Sequence, residues 1–597
     1  MGLTTEPHLI PEVFDQVQYG GHVSEPVGNF LGERRTAWYA PNPPVGPEVH
    51  LAKGEASAAY TYGLNGVVWA EAFTGVDHAH AWKETPEYLK TWGDLWLTEG
   101  INRFSFQCWA HSPSLTRKPG ITLGPWGIHF DRRNTWFDLA TGYLSYLSRS
   151  QFMLQQGLPV MDVCMFTGDG VVTEFPRHPE LRAAGYDYHG LTSEVLQRAT
   201  VENDQIVLPS GMRYRLLVTY HREMRPGTIR KLRDLVKAGA TILGVRPEDS
   251  PGLVGYPASR EEVRRIAEDL WGSDAEAGRK GRPYGQGRVF WGVPEKPAQG
   301  TSGCGVAAYL QCTRERQVLQ DMGLAPDFAY SLSGKENCDN MLAYIHRRLP
   351  GLDWYFLSSQ AGHSRKESCT FRIKSLQPEL WDPVTGEIRK LPVSREQDGR
   401  TTVPLEFAPG QSFFVVFRKP LAEPTGPDPK SNFPALKTLN KLTGPWEVSF
   451  DSQWGGPGEP IRFDALSDWT QRPEEGIKYY SGKAAYRKKF DLSAASTTRR
   501  IYLHLGKVKD LAEVRLNGRP LGVVWCEPWR IEITEAVRTG LNELEIVVAN
   551  EWVNRLIGDS GRPPEKRFTW TTWNPYKPNS PLLESGLLGP VTLLMTD

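Results

Sequence analysis

The run Val67-Val-Trp-Ala-Glu-Ala-Phe-Thr-Gly75 opens with four apolar residues and reaches a carboxylate, Glu71, where the apolar stretch ends. A short apolar run bounded by turn residues reads as a buried strand. Beyond it, Thr85 offers a helix cap and Pro86 a first turn. Tyr88, Leu89, Trp92 and Trp96 then recur on one helical face. Ile101–Phe106 reads as the next strand. Upstream, Pro47–Tyr62 has a helical pattern through Val49, Leu51, Ala52, Ala56, Ala59 and Tyr60, and Gly63 stops it. A weaker strand candidate lies near His22–Asn29. A longer helix runs from about Thr135 to Gln156 and ends at Gly157. Strand and helix alternate, which predicts parallel strands with helices packed outside. A closed (β/α)8 barrel needs eight strands. Residues 1–157 offer three, so the expectation is a partial barrel with an open edge and helices on one side only.

Residues 158–334 continue as α/β of a flavodoxin-like or amidotransferase-like kind. Pro159–Phe166 and Tyr214–Thr219 read as strands. Gly227–Ala238 is an amphipathic helix through Ile229, Leu232, Leu235 and Val236, and Ala240–Val245 is the strand after it. Their crossover is expected to be right-handed. Residues 272–287 are polar and Gly-rich and read as a loop. From about 335 the period changes to two: Phe371-Arg-Ile-Lys, Val403-Pro-Leu-Glu-Phe and Ser412-Phe-Phe-Val-Val-Phe suggest a small β-sandwich over 335–418. Residues 419–434 read as a Pro-rich linker. An all-β module follows over 435–597, with alternating strands at Ala485–Phe490, Ile501–Leu505 and Leu544–Val548. Asn517-Gly518 between two strands predicts a tight hairpin. Trp525 and Trp529 fit either a sugar-facing surface or the core.

Composition narrows the function. Lys+Arg and Asp+Glu both number 69, which removes the basic excess expected of a nucleic-acid or anionic-membrane binder. The 7 cysteines are odd in number and scattered, against a disulfide framework or a zinc site. Cys304–Cys312 is the one pairing near enough in sequence to weigh. The N-terminus lacks a signal-peptide pattern and no run is long enough to span a bilayer, so the chain as written is expected in the cytoplasm, or in the periplasm or medium if the natural start lies upstream. Dinucleotide, Walker, Gly-x-Ser-x-Gly and His-Glu-x-x-His motifs are missing. What stands out is a carboxylate beside aromatic residues. Glu71 is placed as barrel enzymes place catalytic groups, against the alternative of a Glu that merely opens a loop. Asp77, His78, His80 and Trp82 follow it; the paired histidines fit solvated loop residues better than metal ligands. Trp126, in Gly124-Pro-Trp-Gly, suits sugar stacking or a packing plug equally; His111 is expected at the same rim as Glu71, and His129 stands in the run that follows it. Asp162 and Asp169 fit structural roles.

Several segments together resemble the family 106 glycoside hydrolases, the α-L-rhamnosidases: Ala56-Ser-Ala-Ala-Tyr-Thr-Tyr-Gly63, Ala70-Glu-Ala-Phe-Thr74, Gly100-Ile-Asn-Arg-Phe-Ser-Phe106, Ala110-His-Ser-Pro113, Pro119–Arg132, Leu380-Trp-Asp-Pro-Val-Thr-Gly386 and Trp552-Val-Asn-Arg-Leu-Ile-Gly-Asp559. The resemblance implies an inverting glycosidase for terminal α-L-rhamnosyl linkages of rhamnose-containing glycans. It makes Glu71 the catalytic base, with His111, Trp126 and His129 as substrate-binding candidates. It also implies calcium at the sugar, with ligands unassigned, and a C-terminal jelly-roll like the sugar-binding domain of family 2 glycosidases. It places the strands of residues 1–157 as the last of eight and the catalytic acid on an earlier strand. Asn29, in Gly28-Asn-Phe-Leu31, stands where the family carries an acidic residue. A non-catalytic carbohydrate-binding remnant and a β-galactosidase-like enzyme are the competing expectations.

Overall fold

The structure, a computed structural model, describes residues 4–5, 15–31, 49–74, 82–107, 109–170, 175, 178–292, 314–331, 341–421, 431–492 and 499–596. Asp77, His78, His80, Cys304 and Cys312 lie outside these residues, as do the middle of the expected linker and the side chain of Asn29.

The first sheet has four strands in the order β1 (Thr4–Thr5), β2 (Glu25–Leu31), β3 (Trp69–Thr74) and β4 (Arg103–Phe106), all parallel. β1 is two residues long, too short for any period to announce it. The helices between these strands are α1 (Gln16–Gly20), α2 (Val49–Tyr62) and α3 (Pro86–Thr98), and α4 (Thr141–Gln155) follows β4. α3 begins as its sequence dictates: the Thr85 hydroxyl accepts from the Tyr88 amide at 3.4 Å and Pro86 occupies the first turn.

Strand β2 opens at Glu25 and β4 at Arg103, later than the sequence reading has them, and two further boundaries differ for a visible reason. β3 starts at Trp69 and runs through Thr74, so Glu71 sits inside the strand and does not end it. Val67 and Val68 fall outside because asparagines take their amides: Asn65 Oδ1 accepts from Val67 N at 3.0 Å, and Asn102 Oδ1 from Val68 N at 2.9 Å. α4 starts at Thr141, after a short 3₁₀ turn at Phe137–Leu139. Thr135 cannot open it, because its hydroxyl is spent on the carbonyl of Asn550.

The sheet has two unlike faces. Ala70 and Ala72 are buried in a core shared with Ala56 and Ala59 of α2 and Leu89, Trp92 and Trp96 of α3. Trp69 and Glu71, one pleat out of phase, are only half-buried, and Ser105 beside Glu71 is exposed.

The second sheet is six-stranded. From its antiparallel edge Arg282–Tyr284 it runs through Gly287–Trp291, Thr241–Gly244, Leu216–Thr219 and Val163–Phe166 to Tyr188–Leu191, the last five parallel. The Pro226–Lys237 helix joins the adjacent strands Leu216–Thr219 and Thr241–Gly244, as its periodicity predicts. Pro159–Phe166 is not one strand: Leu158–Pro159 pairs with Leu342–Leu349 of the β-rich layer, and only Val163–Phe166 enters the α/β sheet. Tyr214 likewise belongs to a separate small sheet with Gln205–Val207. The expected loop 272–287 holds a helix, Ala275–Lys280, and a hairpin strand, because Gly285 at φ +62° makes a turn that lies directly on the Lys237 backbone. Asp162 pairs with Arg372 at 2.8 Å, and Asp169 accepts from Ser193, Thr228 and the Arg225 amide ahead of that helix; both are structural.

α2 is welded to this layer by polar contacts as well as packing. Lys53 Nζ meets Asp187 at 2.6 Å, both buried. Glu55 is buried beside Gln16, whose amide donates to it at 2.9 Å, and burial pushes its carboxyl up to about 8. The folded state therefore holds a proton that the unfolded chain releases above about pH 4.5. Stability supplied by the neutral carboxyl is complete below that pH and is lost as pH rises toward 8. Glu55→Gln keeps an acceptor for Gln16 without the titration. Urea unfolding across pH 5–8 should show the variant losing less stability than the parent, by about 1.4 kcal/mol per pH unit; parallel pH profiles over that window would contradict this.

Past residue 341 the described chain is mostly antiparallel. Two sheets enclose Tyr344, Tyr355, Cys369, Phe371, Leu405 and Phe417. The last section again pairs a four-stranded with a six-stranded sheet, about a core that includes Trp446, Trp469, Tyr486, Val514 and Ile546. Asn517 and Gly518, at φ +54° and +80°, turn the hairpin between Leu511–Leu516 and Arg519–Val524. Trp525 and Trp529 are buried, which decides for packing: Trp525 lies 5.4 Å from the Tyr143 ring of α4 and fills the space that Gly142 leaves open. Cys164, Cys369 and Cys526 are buried free thiols. Among the described residues no helix is long and apolar enough to cross a membrane.

Candidate active site

Glu71 stands third in β3, level with Asn29 of β2 and Ser105 of β4. Three residues on, Thr74 donates its hydroxyl to Glu71 Oε1 at 2.6 Å. In a regular strand residues three apart point to opposite faces. Here the register slips between Asn29 and Leu31 of β2, so that β3 spends one extra residue. Phe73 absorbs the bulge at φ +61°, a conformation that bulky residues rarely adopt. Its ring is fully buried, edge-on to Phe104 at 5.5 Å and close against Gly93, where a Cβ would come within 3.0 Å of it. That packing holds a strain of about 1–3 kcal/mol, and the strain brings Thr74 to the side of Glu71. Among the described residues Thr74 is the hydrogen-bond partner of Glu71. That bond fixes one carboxylate oxygen of the half-buried side chain.

The same face carries a second carboxylate, Glu25, at the opposite end. It accepts from the Trp69 indole and from Asn65 Nδ2 at 2.9 Å, and Arg103 lies 3.6 Å away with its guanidinium over the Trp69 ring. Register places Glu25 four residues below Glu71, about 13 Å along the strands. It closes the N-terminal end of the face.

Beyond β4 the chain forms a long loop. Trp109 is 72% exposed, His111 is exposed with its ring 6.0 Å from Trp109, and Trp126 is 49% exposed in a turn between Gly124 and Gly127, both at positive φ. His129 is set differently. Its side chain is 9% exposed and stacks on buried Trp82 at 3.6 Å, with Trp573 on the far side at 6.3 Å and Glu84 3.7 Å from Nδ1. His129 is thus a joint between the loop and the C-terminal module, whereas Trp109, His111 and Trp126 are open to solvent. A cavity of about 300 Å³ opens beside Trp109, lined also by Ala110, Asp131, Arg132, Arg133 and Phe137, and neither His111 nor Trp126 lines it. Arg133 braces it, with Nε 2.9 Å from Asp131 Oδ1 and Nη1 2.9 Å from the Ile121 carbonyl.

The C-terminal module backs this loop. Trp552 Nε1 donates to the Arg133 carbonyl at 2.9 Å. Trp570 and Thr571 pair with Pro119 and Gly120. The segment before them is held by Asp559, which accepts from the amides of Phe568 and Thr569 at 2.9 and 2.8 Å.

The model of the family 106 α-L-rhamnosidases matches residues 6–395. The chain belongs to this family. A solved rhamnosidase from Novosphingobium sp. PP1Y is 30% identical and superposes with a TM-score of 0.84, over 97% of this chain and 52% of its own. A curated protein of Formosa agariphila that bears a β-glucuronidase name is 25% identical over 89% of this chain and 63% of its own. This member of the family 106 rhamnosidases therefore spans about half the length of the solved rhamnosidase. Residues 470–574 match the galactose-binding-like domain of family 2 glycosyl hydrolases.

Among the described residues no three His, Cys, Asp or Glu side chains converge as metal ligands would. Calcium takes six to eight oxygens, from carboxylates, backbone and amide carbonyls and water. Thr74, Trp109 and Arg132 are the site residues that sequence reasoning missed. The sequence sets Thr74 in the run Ala70–Thr74 but gives no sign that it bonds Glu71, because the bulge that turns it is a property of pairing with β2.

Proposed function

We propose that β1–β4 form the C-terminal part of a (β/α)8 barrel, and that Glu71 is the general base of an inverting hydrolase for terminal α-L-rhamnosyl groups of glycans. The observation that carries this reading is the half-buried carboxylate on the open face of a parallel sheet, one oxygen held by Thr74 across a strained bulge. Inversion needs a water between two carboxyls about 6.5–9.5 Å apart. Glu71 takes a proton from that water as it attacks the anomeric carbon, and an acid opposite protonates the leaving oxygen. Glu25 is too far away and is engaged by Arg103, so the acid comes from outside the described residues. We read the α/β layer over 158–334 and the sandwich over 335–418 as scaffold, and the two facing sheets of 435–597 as a jelly-roll that buttresses the loop after β4. A calcium ion at the sugar would draw its ligands from beyond the described residues.

The test is a panel of aryl glycosides given to the protein with its whole barrel, with the first-formed sugar read by NMR. Hydrolysis of the α-L-rhamnoside to the inverted sugar is expected. Retention, or turnover of the β-galactoside in its place, overturns the proposal. A second reading, glycan binding without catalysis, is favoured for the 597-residue chain alone by the lack of a second carboxyl in reach among its described residues; this chain is expected to show negligible turnover. Within the active protein, Thr74→Val should lower kcat about tenfold, the equivalent of about 1.4 kcal/mol, while Thr74→Ser stays near the parent. Equal rates for Val and Ser would remove Thr74 from the site.

A further inference from the structure

The cavity beside Trp109 has a chemistry that hydrolysis of a neutral rhamnoside does not require. Its wall offers a flat indole that is 72% exposed, an uncommon state for so large an apolar ring. Asp131 is neutralised by Arg133, which holds it through Nε at 2.9 Å and through a second bond from Nη2. Arg132 is next in sequence. It is exposed and lines the cavity, and no hydrogen bond, ion pair or ring contact engages its guanidinium among the described residues. The three charges at 131–133 leave one net positive charge, located on Arg132. The floor is rigid: Phe130 packs on Trp136 at 5.3 Å and on Phe137 at 5.7 Å, and the Arg133 carbonyl is pinned by Trp552.

An aromatic plate beside an unpaired guanidinium suits a ring with one apolar face and one anionic substituent. The plate takes the ring by stacking, and the fork of N–H donors takes two oxygens at once. A volume of about 300 Å³ is at the lower end of small-ligand sites. Trp109 stands four residues past Ser105, the register partner of Glu71, so at most about 14 Å of extended chain plus one strand spacing of about 4.8 Å separates the Trp109 and Glu71 backbones. We infer that this cavity is a subsite for an anionic sugar, a uronate or a sulfated residue, standing next to the rhamnosyl unit in the glycan. The inference rests on the reading of the Glu71 face as a glycan site for its location only, since binding here needs no turnover.

The experiment titrates the 597-residue chain with methyl β-D-glucuronide, methyl β-D-glucoside and methyl β-D-glucoside 6-sulfate, each followed by indole fluorescence and by NMR line broadening of the sugar. Sodium acetate and sodium sulfate serve as ion controls. At least one anionic sugar should bind about tenfold tighter than the glucoside, by about 1.4 kcal/mol, and its preference should shrink as salt is raised. Preference for the glucuronide assigns a uronate, and preference for the 6-sulfate assigns a sulfate ester. Arg132→Gln should abolish the preference while leaving the neutral sugar unchanged, and Trp109→Ala should weaken all three. Binding is read in the 597-residue chain without any turnover, so failure of the catalytic proposal leaves this result standing. Equal binding of charged and neutral sugars, a preference that survives Arg132→Gln, or binding matched by the free salts overturns the inference.

Discussion

Glu71→Gln, made in the protein with its whole barrel, is expected to lower kcat on aryl α-L-rhamnosides by about 10²–10⁴-fold, the range for loss of a general base. The amide keeps the length of the side chain and an oxygen to accept from the Thr74 hydroxyl, 2.6 Å away in the parent, so the bulge and the fold should survive. What disappears is the capacity to take a proton from water. KM should change little, because the missing step lies between bound substrate and transition state. Full activity in the variant would remove Glu71 from the chemistry. An aryl leaving group that needs little help from an acid sharpens the measurement, since the base then governs the rate.

The second large effect is structural. Trp552→Ala should cost about 3–5 kcal/mol of stability, the range for deleting a buried aromatic ring. Trp552 is almost fully buried and edge-on to Trp454 at 4.9 Å, and its indole serves the Arg133 carbonyl at 2.9 Å. The deletion leaves that carbonyl without its partner as well as opening a cavity. Amides of residues 131–137 should then exchange with solvent faster than in the parent. Trp446→Ala provides the comparison: it empties the core of the same module without touching the loop. Loss of protection in 131–137 in both variants alike would mean that the contact through Trp552 does not brace the cavity.

Local signals carried much of the fold. Thr85-Pro86 predicts the start of α3 because a hydroxyl acceptor and a fixed φ are what that turn needs. Asn517-Gly518 predicts its hairpin because both residues tolerate the turn's backbone. The spacing of Ile229, Leu232, Leu235 and Val236 predicts a helix packed on the second sheet. The family was legible in clusters such as Ala70–Thr74 and Trp552–Asp559, and its match is borne out. What escaped depends on partners distant in sequence. The Trp82–His129–Trp573 stack joins three segments, and only the folded chain shows that His129 is wedged between rings while His111 and Trp126 face solvent. Amides claimed by Asn65 and Asn102 moved the start of β3, which no count of apolar residues reveals.

Arg133 and Trp552 are separated by 419 residues, and Thr135 and Asn550 by 415. A ribosome adding about 5–20 residues per second needs roughly 20–80 s to cover that interval. Throughout that time the strand bearing Glu71 has emerged and its helices can close behind it, while the loop that will frame the cavity still lacks its backing. The nascent chain therefore carries an assembled carboxylate and an unassembled pocket. Its exposed indoles are a target for chaperones until residues 550–552 arrive, and termination shortly before residue 550 would release a chain whose loop after β4 is left without its backing.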